Sequence, residues 1–511
     1  MPPSAATREA CAQNIVSGEG AWPPRAARQE RLSELDALLA ARPEAIEVAV
    51  ERAALLGALD RRVEAQQAFI GILLRAPDNF SALNEFGNLL AGMGLIAAAC
   101  RVYAEAIKHH PKNPMAHVNL ANLMLRGAEY AKARQHYEAA LALDPGQSQA
   151  HQGLGAVLAA TGERAAAGVH LRAGFAGNSM STLPYRGSKP PLPLLLLVSS
   201  GDGNIPTASF LDDRIFLTSV IVADFHDAAV ALPPHRLIFN AVGDADQCRP
   251  ALEAAIALMR KSGAPAINDP VAVLKTGRAE NAARLGKLAG VRTPRTQVLP
   301  RALLAGADGA AALAGHGFCF PLLLRSPGFH TGRNFVLVNA PAELAPAVGG
   351  LPGEDLLAIE YLDARGRDGH ARKYRAMIVD GKIYPMHLAI SRQWKVHYFT
   401  ADMADDSVHR AQDAAFLDDM AGVIGAKALA ALERIRDALG LDYGGIDFGL
   451  SAEGGLLLFE ANATMVVNPP EADARWAYRR AGVARILDAV SGMIMARAER
   501  QKPQQGLQKA G

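Results

Sequence analysis

The residues with most chemical promise lie in GGIDFGLSAEGGLLLFEANATM, where Asp447 stands thirteen residues before Glu460 and Asn462 two after it. All three offer oxygen, the donor that a hard cation such as Mg²⁺ takes. Asp447 sits in a short apolar run, 445–450, and Glu460 and Asn462 end a second, 456–459, with a turn of hairpin composition at 451–455 between them. Residues two apart on a strand share a face, so Glu460 and Asn462 look the same way, and a hairpin brings Asp447 alongside. The alternative is a hairpin with polar residues on its wet face. Against it, Glu460 follows four consecutive apolar residues, and a lone carboxylate at a buried strand end is costly unless paired or metal-bound.

Such a hairpin needs a domain around it. With 511 residues the chain is too long for one core, and two or three domains are expected. Lys and Arg number 53 against 51 Asp and Glu, with no dense basic run, which argues against a nucleic-acid partner. The four cysteines have no metal or CxxC spacing and read as free thiols. The N-terminus lacks a signal-peptide core, and the longest apolar run, near Leu192 to Val198, is too short to span a bilayer. A soluble cytoplasmic protein without membrane partners is expected.

The N-terminal third repeats every 34 residues: Pro43, Pro77, Pro111 and Pro145 form one column. Ala65, Ala99 and Ala133 form another, Phe69, Tyr103 and Tyr137 a third, and Ala53, Gly87, Ala121 and Gly155 a fourth. This resembles the tetratricopeptide repeat (TPR), in which small residues let two helices cross closely, an aromatic fills the groove and Pro ends the second helix. The resemblance spans residues 28–178, the last unit degenerate, with Leu171 and Gly174 replacing the aromatic and the small Ala. It implies an all-α superhelix that binds a peptide or protein, or serves as a spacer or dimerisation arm. No chemistry is legible in this region.

Residues 179–192 carry Pro, Gly and Ser and read as a linker. Strands at 194–198, 215–223 and 237–240 then alternate with helices at 251–261 and 279–288, which argues an α/β domain over 193–291. Its loops at 199–206 and 240–247 are strand-end positions where ligands gather; Gly201-Asp202-Gly203 lacks a full GxGxxG, so a dinucleotide site is not indicated. Asp244 and Asp246 either bind a substrate amine or cap the following helix. Residues 292–497 form the last domain, with disordered tails expected at 1–27 and 498–511.

That domain holds PLLLRSPGFHTGRNFVLV, two apolar strands around a Gly-containing loop whose N–H groups could wrap phosphate, with Arg325 to neutralise it. A strand follows that ends near Leu362, and another carries Lys373, Tyr374 and Arg375, with Arg375 either facing a polar cleft or salt-bridged at the surface. In this order the pieces resemble the ATP-grasp superfamily over residues 193–497, with an α/β pre-ATP-grasp domain ahead of an α+β nucleotide-binding domain.

The resemblance implies roles residue by residue. Arg278, sixteen residues before Pro294, and Arg325 match the two basic phosphate contacts, commonly Lys in the family, so a planar fork replaces a point charge. His330 and Gly332 fall in the phosphate loop. Glu360, Tyr361 and Leu362 match the hinge that pairs with the adenine edge, Glu360 also facing the ribose or the adenine amino group. Asp447, Glu460 and Asn462 match the Mg²⁺ ligands, with Mn²⁺ as substitute, and Arg375 the group that steadies the oxyanion. The implied enzyme is an ATP-dependent, ADP-forming carboxylate–amine ligase acting through an acyl phosphate, with the repeats recruiting a peptide or protein. A kinase on the same fold and an ATP-regulated TPR scaffold without catalysis are the alternatives. His387, Lys395 and His397 stand with Trp394, His409 and Arg410 in a segment dense in polar and aromatic groups and, with Asp244, are the substrate-reading candidates.

Overall fold

The computed structural model describes residues 25–201, 203–327, 334–396 and 401–499. It divides into two compact units, one within Met1–Asp202 plus Leu211–Ile238, the other within Gly203–Phe210 plus Phe239–Gly511.

The first unit opens with helices α1 (Arg25–Ala41), α2 (Ile46–Ala58), α3 (Arg62–Arg75), α4 (Phe80–Gly92), α5 (Ile96–His109), α6 (Pro114–Arg126), α7 (Tyr130–Leu143), α8 (Ser148–Thr161) and α9 (Arg164–Phe175). The columns read from sequence are its packing points. Asn79 and Asn113, each two residues after a column Pro, accept backbone N–H bonds and start α4 and α6. Ala65, Ala99 and Ala133 are wholly buried. A Cβ on Gly87 would lie 2.3 Å from Tyr103, so glycine is what lets α4 and α5 close around that ring. The Tyr103 and Tyr137 hydroxyls donate to Asn88 and Asn122 at 2.7 and 2.6 Å, so the buried hydroxyls are satisfied.

Three strands complete this unit: β1 (Met180–Thr182), β2 (Leu192–Val198) and β3 (Phe216–Val222). β2 pairs with β3 in parallel and β1 with β3 antiparallel, so β1 lies inside the stretch whose composition reads as a linker. Phe175 of α9 stacks on Phe225 at 5.4 Å, and buried Arg28 of α1 donates to the Tyr185 carbonyl, joining repeats and strands within one unit. The unit boundary falls within β4 (Leu237–Asn240).

The second unit contains α10 (Arg249–Ser262), β5 (Ala266–Ile267), α11 (Pro270–Leu274), α12 (Arg278–Leu285), β6 (Val291–Arg292), β7 (Thr296–Pro300), α13 (Arg301–Ala305) and α14 (Gly309–Gly315). β8 (Leu322–Arg325), β9 (Phe335–Val338), α15 (Leu344–Gly350) and β10 (Asp355–Glu360) follow. Then come β11 (Ala371–Val379), β12 (Lys382–Ser391), α16 (Ser407–Asp418), α17 (Met420–Leu439), β13 (Tyr443–Leu450), β14 (Leu456–Asn462) and α18 (Arg480–Glu499). One sheet runs β7-β10-β8-β9, its buried Leu322, Leu324 and Leu356 packed on Leu304, Leu313, Leu344 and Val348 of the short helices. The other runs β12-β11-β13-β14-β6 and carries Arg375, His387, Asp447, Glu460 and Asn462. Tyr374 anchors it, its ring 5.1 Å from Phe416 of α16 and 5.2 Å from Phe448 of β13. Helical repeats followed by mixed α/β structure therefore make a multidomain chain. No helix among the described residues is long and apolar enough to cross a membrane.

Candidate functional site

Four neighbouring strands place one polar residue each in a single row. His387 on β12 faces Arg375 on β11, Arg375 faces Asp447 on β13, and Asp447 faces Glu460 on β14. Directly opposed residues share a face, so this row is one polar stripe across the sheet. The register shifts immediately after Arg375 and after Asp447. Such bulges re-aim the side chains beside them. Asn462 lies opposite Gly445, two places on from Glu460 on the same face.

The stripe is held by charge. Arg375 grips Asp447 with both prongs, Nε to Oδ1 at 2.6 Å and Nη2 to Oδ2 at 2.8 Å, and Lys373 adds 3.0 Å to Oδ2. Lys373 stands two residues before Arg375, hence on the same face; that spacing is the signal by which sequence could have assigned it. Burial pushes the Asp447 carboxyl up, but Arg375 and Lys373 outweigh it and hold the group well below the usual carboxylate range. Burial first, then Arg375 and Arg479, push His387 well below 6.5, so its imidazole is neutral at pH 7. Glu460 accepts from Arg278 Nη2 at 2.7 Å and from Asn462 Nδ2 at 3.0 Å. The Asn462 carbonyl oxygen accepts from the backbone and hydroxyl of Thr464.

Arg278 reaches the stripe because the first half of α12 is fixed at two points. Asp246 accepts the Arg278 backbone N–H at 3.0 Å, and Asn281 donates to the Ala461 carbonyl at 2.6 Å. A Cβ on Gly277 would come within 2.8 Å of the Asp246 carboxylate, so a glycine precedes the helix. Arg278 and Pro294, paired by spacing in the sequence, line one pocket with Asp244, Asp246, Glu460 and Asn462. Asp244 accepts the backbone N–H groups of Asp246 and Gln247, the local turn-capping arrangement.

Arg325 ends β8 buried, 5.5 Å over the Phe335 ring. Burial, then Arg278, pull its pKa down to about 10, with Glu460, Asp244 and Asp246 opposing. Lys395 donates to the Phe335 carbonyl at 3.3 Å, its pKa lowered by burial and by Arg325. Among the described residues, Arg278, Arg325, Lys373, Arg375 and Lys395 act electrostatically in this cluster with Asp244, Asp246, Asp447 and Glu460.

The expected hinge residues are not members of the row. Glu360 ends β10, its carboxylate taken by Arg292 at 2.8 Å and the Arg295 N–H at 3.0 Å. Tyr361 is half-buried, and Leu362 packs with Ala364 and Leu457. His330, Gly332 and His397 lie outside the described residues. Sequence reading passed over the buried Asp413, which accepts from the Leu388 N–H at 2.7 Å and pairs with buried Arg479, pinning β12 next to His387.

Among the described residues no three or more His, Cys, Asp or Glu side chains converge as a metal centre. The expected triad is two carboxylates and a carboxamide, a donor set that suits Mg²⁺ by oxygen type. Its carboxylates serve Arg375, Lys373 and Arg278 here.

The chain matches the family described as Tetratricopeptide repeat over residues 84–148. No curated protein matches it. Among solved structures, "Crystal structure of MamA" is 18% identical and covers 28% of this chain and 85% of that one, with a TM-score of 0.26. "MamA 41-end from Desulfovibrio magneticus RS-1" is 20% identical, covers 33% and 92%, and scores 0.26. "Crystal Structure of VanG D-Ala:D-Ser Ligase from Enterococcus faecalis" is 14% identical, covers 52% and 74%, and scores 0.33. What the match establishes is the presence of tetratricopeptide repeats in the N-terminal helical region.

Proposed function

We propose that the second unit is an ATP- and Mg²⁺-dependent carboxylate–amine ligase of the ATP-grasp type, and that the repeats bring it a peptide or protein partner. The observation that carries this reading is the cross-strand row Arg375–Asp447–Glu460 with Arg278 bonded to its end. It gathers into one cluster the residues that the family pattern assigns to phosphate, metal and oxyanion.

Arg278 and Arg325 would hold the phosphates of ATP, and the backbone after β10 would meet the adenine edge. Asp447, Glu460 and Asn462 would hold Mg²⁺, which when bound offsets the negative charge developing on the transferred phosphoryl group. The substrate carboxylate attacks the γ-phosphorus, the bond to the β-phosphate oxygen breaks, and ADP leaves. The neutral amine then attacks the activated carbonyl while a guanidinium, Arg375, would balance charge on its oxygen, and the departing phosphate takes the proton that nitrogen loses.

The test is ADP release from ATP across amino acids, small peptides and other carboxylates, with hydroxylamine as trap. A hydroxamate, and free phosphate only when both substrates are present, is the expected result. A stable phosphorylated product would make the protein a kinase. Absence of ATP binding would leave the repeats as its functional part.

A further inference from the structure

The last two repeats carry a feature the first two lack. His117 of α6 faces His136 of α7, Nδ1 to Nδ1 at 3.1 Å, and His151 of α8 faces His170 of α9 in the same way at 2.9 Å. The pairs are 34 residues apart, one repeat, and nearly superimposable in geometry. Ring centroids lie 5.4 and 5.1 Å apart, with interplanar angles of 36° and 34°. One and two repeats earlier the same positions hold Leu83 with Val102 and Ala49 with Ala68, which pack as ordinary apolar contacts. The scaffold closes well with hydrocarbon here, so two imidazole pairs are not required by packing.

The rings are also oriented. His151 Nε2 donates to the carbonyl of Pro145 at 2.9 Å, a backbone group that can only accept. A ring that donates through Nε2–H carries its lone pair on Nδ1, where His151 accepts the Nδ1–H of His170; a bound ion takes the place of that proton. This is the outer-shell arrangement that fixes the tautomer of a metal-ligating histidine. All four rings are half-buried, so an ion can reach them. Two nitrogens bonded at ~2.0–2.1 Å to one tetrahedral ion stand about 3.3 Å apart, so each pair needs to open by only a few tenths of an ångström.

We propose that His117 with His136, and His151 with His170, form two binding sites for a divalent late transition-metal ion of the Zn²⁺ class. Imidazole nitrogen selects this class over Mg²⁺ or Ca²⁺. Each site has two protein ligands, leaving its other positions to water or to a side chain of a bound peptide.

The test uses the full chain, stripped by chelator and dialysed against Zn²⁺ at pH 7.5. Two equivalents are expected, one per pair. His117→Leu with His136→Val copies the apolar pair of the preceding repeat, keeps the helical circular dichroism and removes one equivalent. Adding His151→Leu and His170→Val removes the second. With Cu²⁺ in place of Zn²⁺, the paramagnetic resonance spectrum should show two nitrogens per ion. A wild-type protein that takes up no more metal than the folded four-fold variant, or a spectrum without nitrogen coupling, overturns the proposal.

Discussion

Glu460→Gln separates the chemistry of the stripe from its contribution to folding. The Arg278–Glu460 contact is 2.7 Å, with side chains 22% and 32% exposed. Two charges about 4 Å apart at an effective dielectric of about 20 attract by about 4 kcal/mol. Desolvation, side-chain ordering and solvent screening reduce the net value of such a partly exposed pair to about 1 kcal/mol or less. Glutamine keeps the shape and can still accept from Arg278 and Asn462. The urea midpoint should therefore move by no more than that net value implies. Turnover is a different matter, because a neutral amide cannot balance a divalent cation or orient it on phosphate. Removing one preorganised electrostatic group costs on the order of 10²–10³ in rate. The assays are urea denaturation followed by fluorescence, and ADP release in excess Mg²⁺ and ATP. Wild-type turnover in the folded variant would refute the ligand role of Glu460. A large loss of stability would refute the reasoning about its screened ion pair.

Asp447→Asn should behave in the opposite way, costing about 3–5 kcal/mol because Arg375 and Lys373 lose a buried counter-charge. Asp447→Leu combined with Arg375→Met should recover much of that in the urea midpoint, and a fully additive loss would show that the pair is not its source. The folded pKa of Asp447 lies below its ordinary 3.8, so its stabilisation is complete above that value and is lost as pH falls through the folded pKa. Acid unfolding of Asp447→Asn should lack that part of the slope. His387 resists protonation, so the unfolded chain binds its proton first below 6.5 and stability declines from there; His387→Gln should flatten this limb in chemical denaturation at pH 5 to 6.5. Gly87→Ala should cost about 1–3 kcal/mol through overlap with Tyr103, whereas Gly71→Ala on the open face of α3 should stabilise by about 0.5–1 kcal/mol, both read by thermal unfolding.

Local pattern made much of this molecule legible. The hairpin expected at 445–450 and 456–459 is β13 and β14, because apolar runs around a Gly-rich turn specify it without help from distant residues. Repeat periodicity carries even polar detail. Where the groove aromatic is Tyr103 or Tyr137, Asn88 or Asn122 stands fifteen residues before it to take the hydroxyl; Phe69 and Leu171 have Ala54 and Ala156 there instead. Pairings fixed by tertiary register were out of reach. That Arg375 clasps Asp447 depends on how β11 aligns with β13. That Glu360 answers Arg292 depends on two segments 68 residues apart. β1 was hidden by its Ser and Thr, since its three residues are a strand only through hydrogen bonds to β3. The histidine pairs went unread in the sequence, because their meaning lies in Nδ1 atoms facing each other across two helices.

The mutual pairing in the stripe also bears on what ligand suits it. The proposed reading gives Arg278 and Arg325 to an anion and Asp447 and Glu460 to a cation, yet here Arg278 pairs with Glu460 and Arg375 with Asp447. A cation arriving alone must take Asp447 or Glu460 from its partners and leave positive charge unmatched in a site where Asp447 is only 3% exposed. An anion arriving alone leaves the carboxylates in the same position. Because an uncompensated buried charge costs several kcal/mol, either half-exchange is opposed. A ligand that brings both signs together replaces each broken pair with a new one. On the proposed reading the Mg²⁺ complex of ATP is such a ligand.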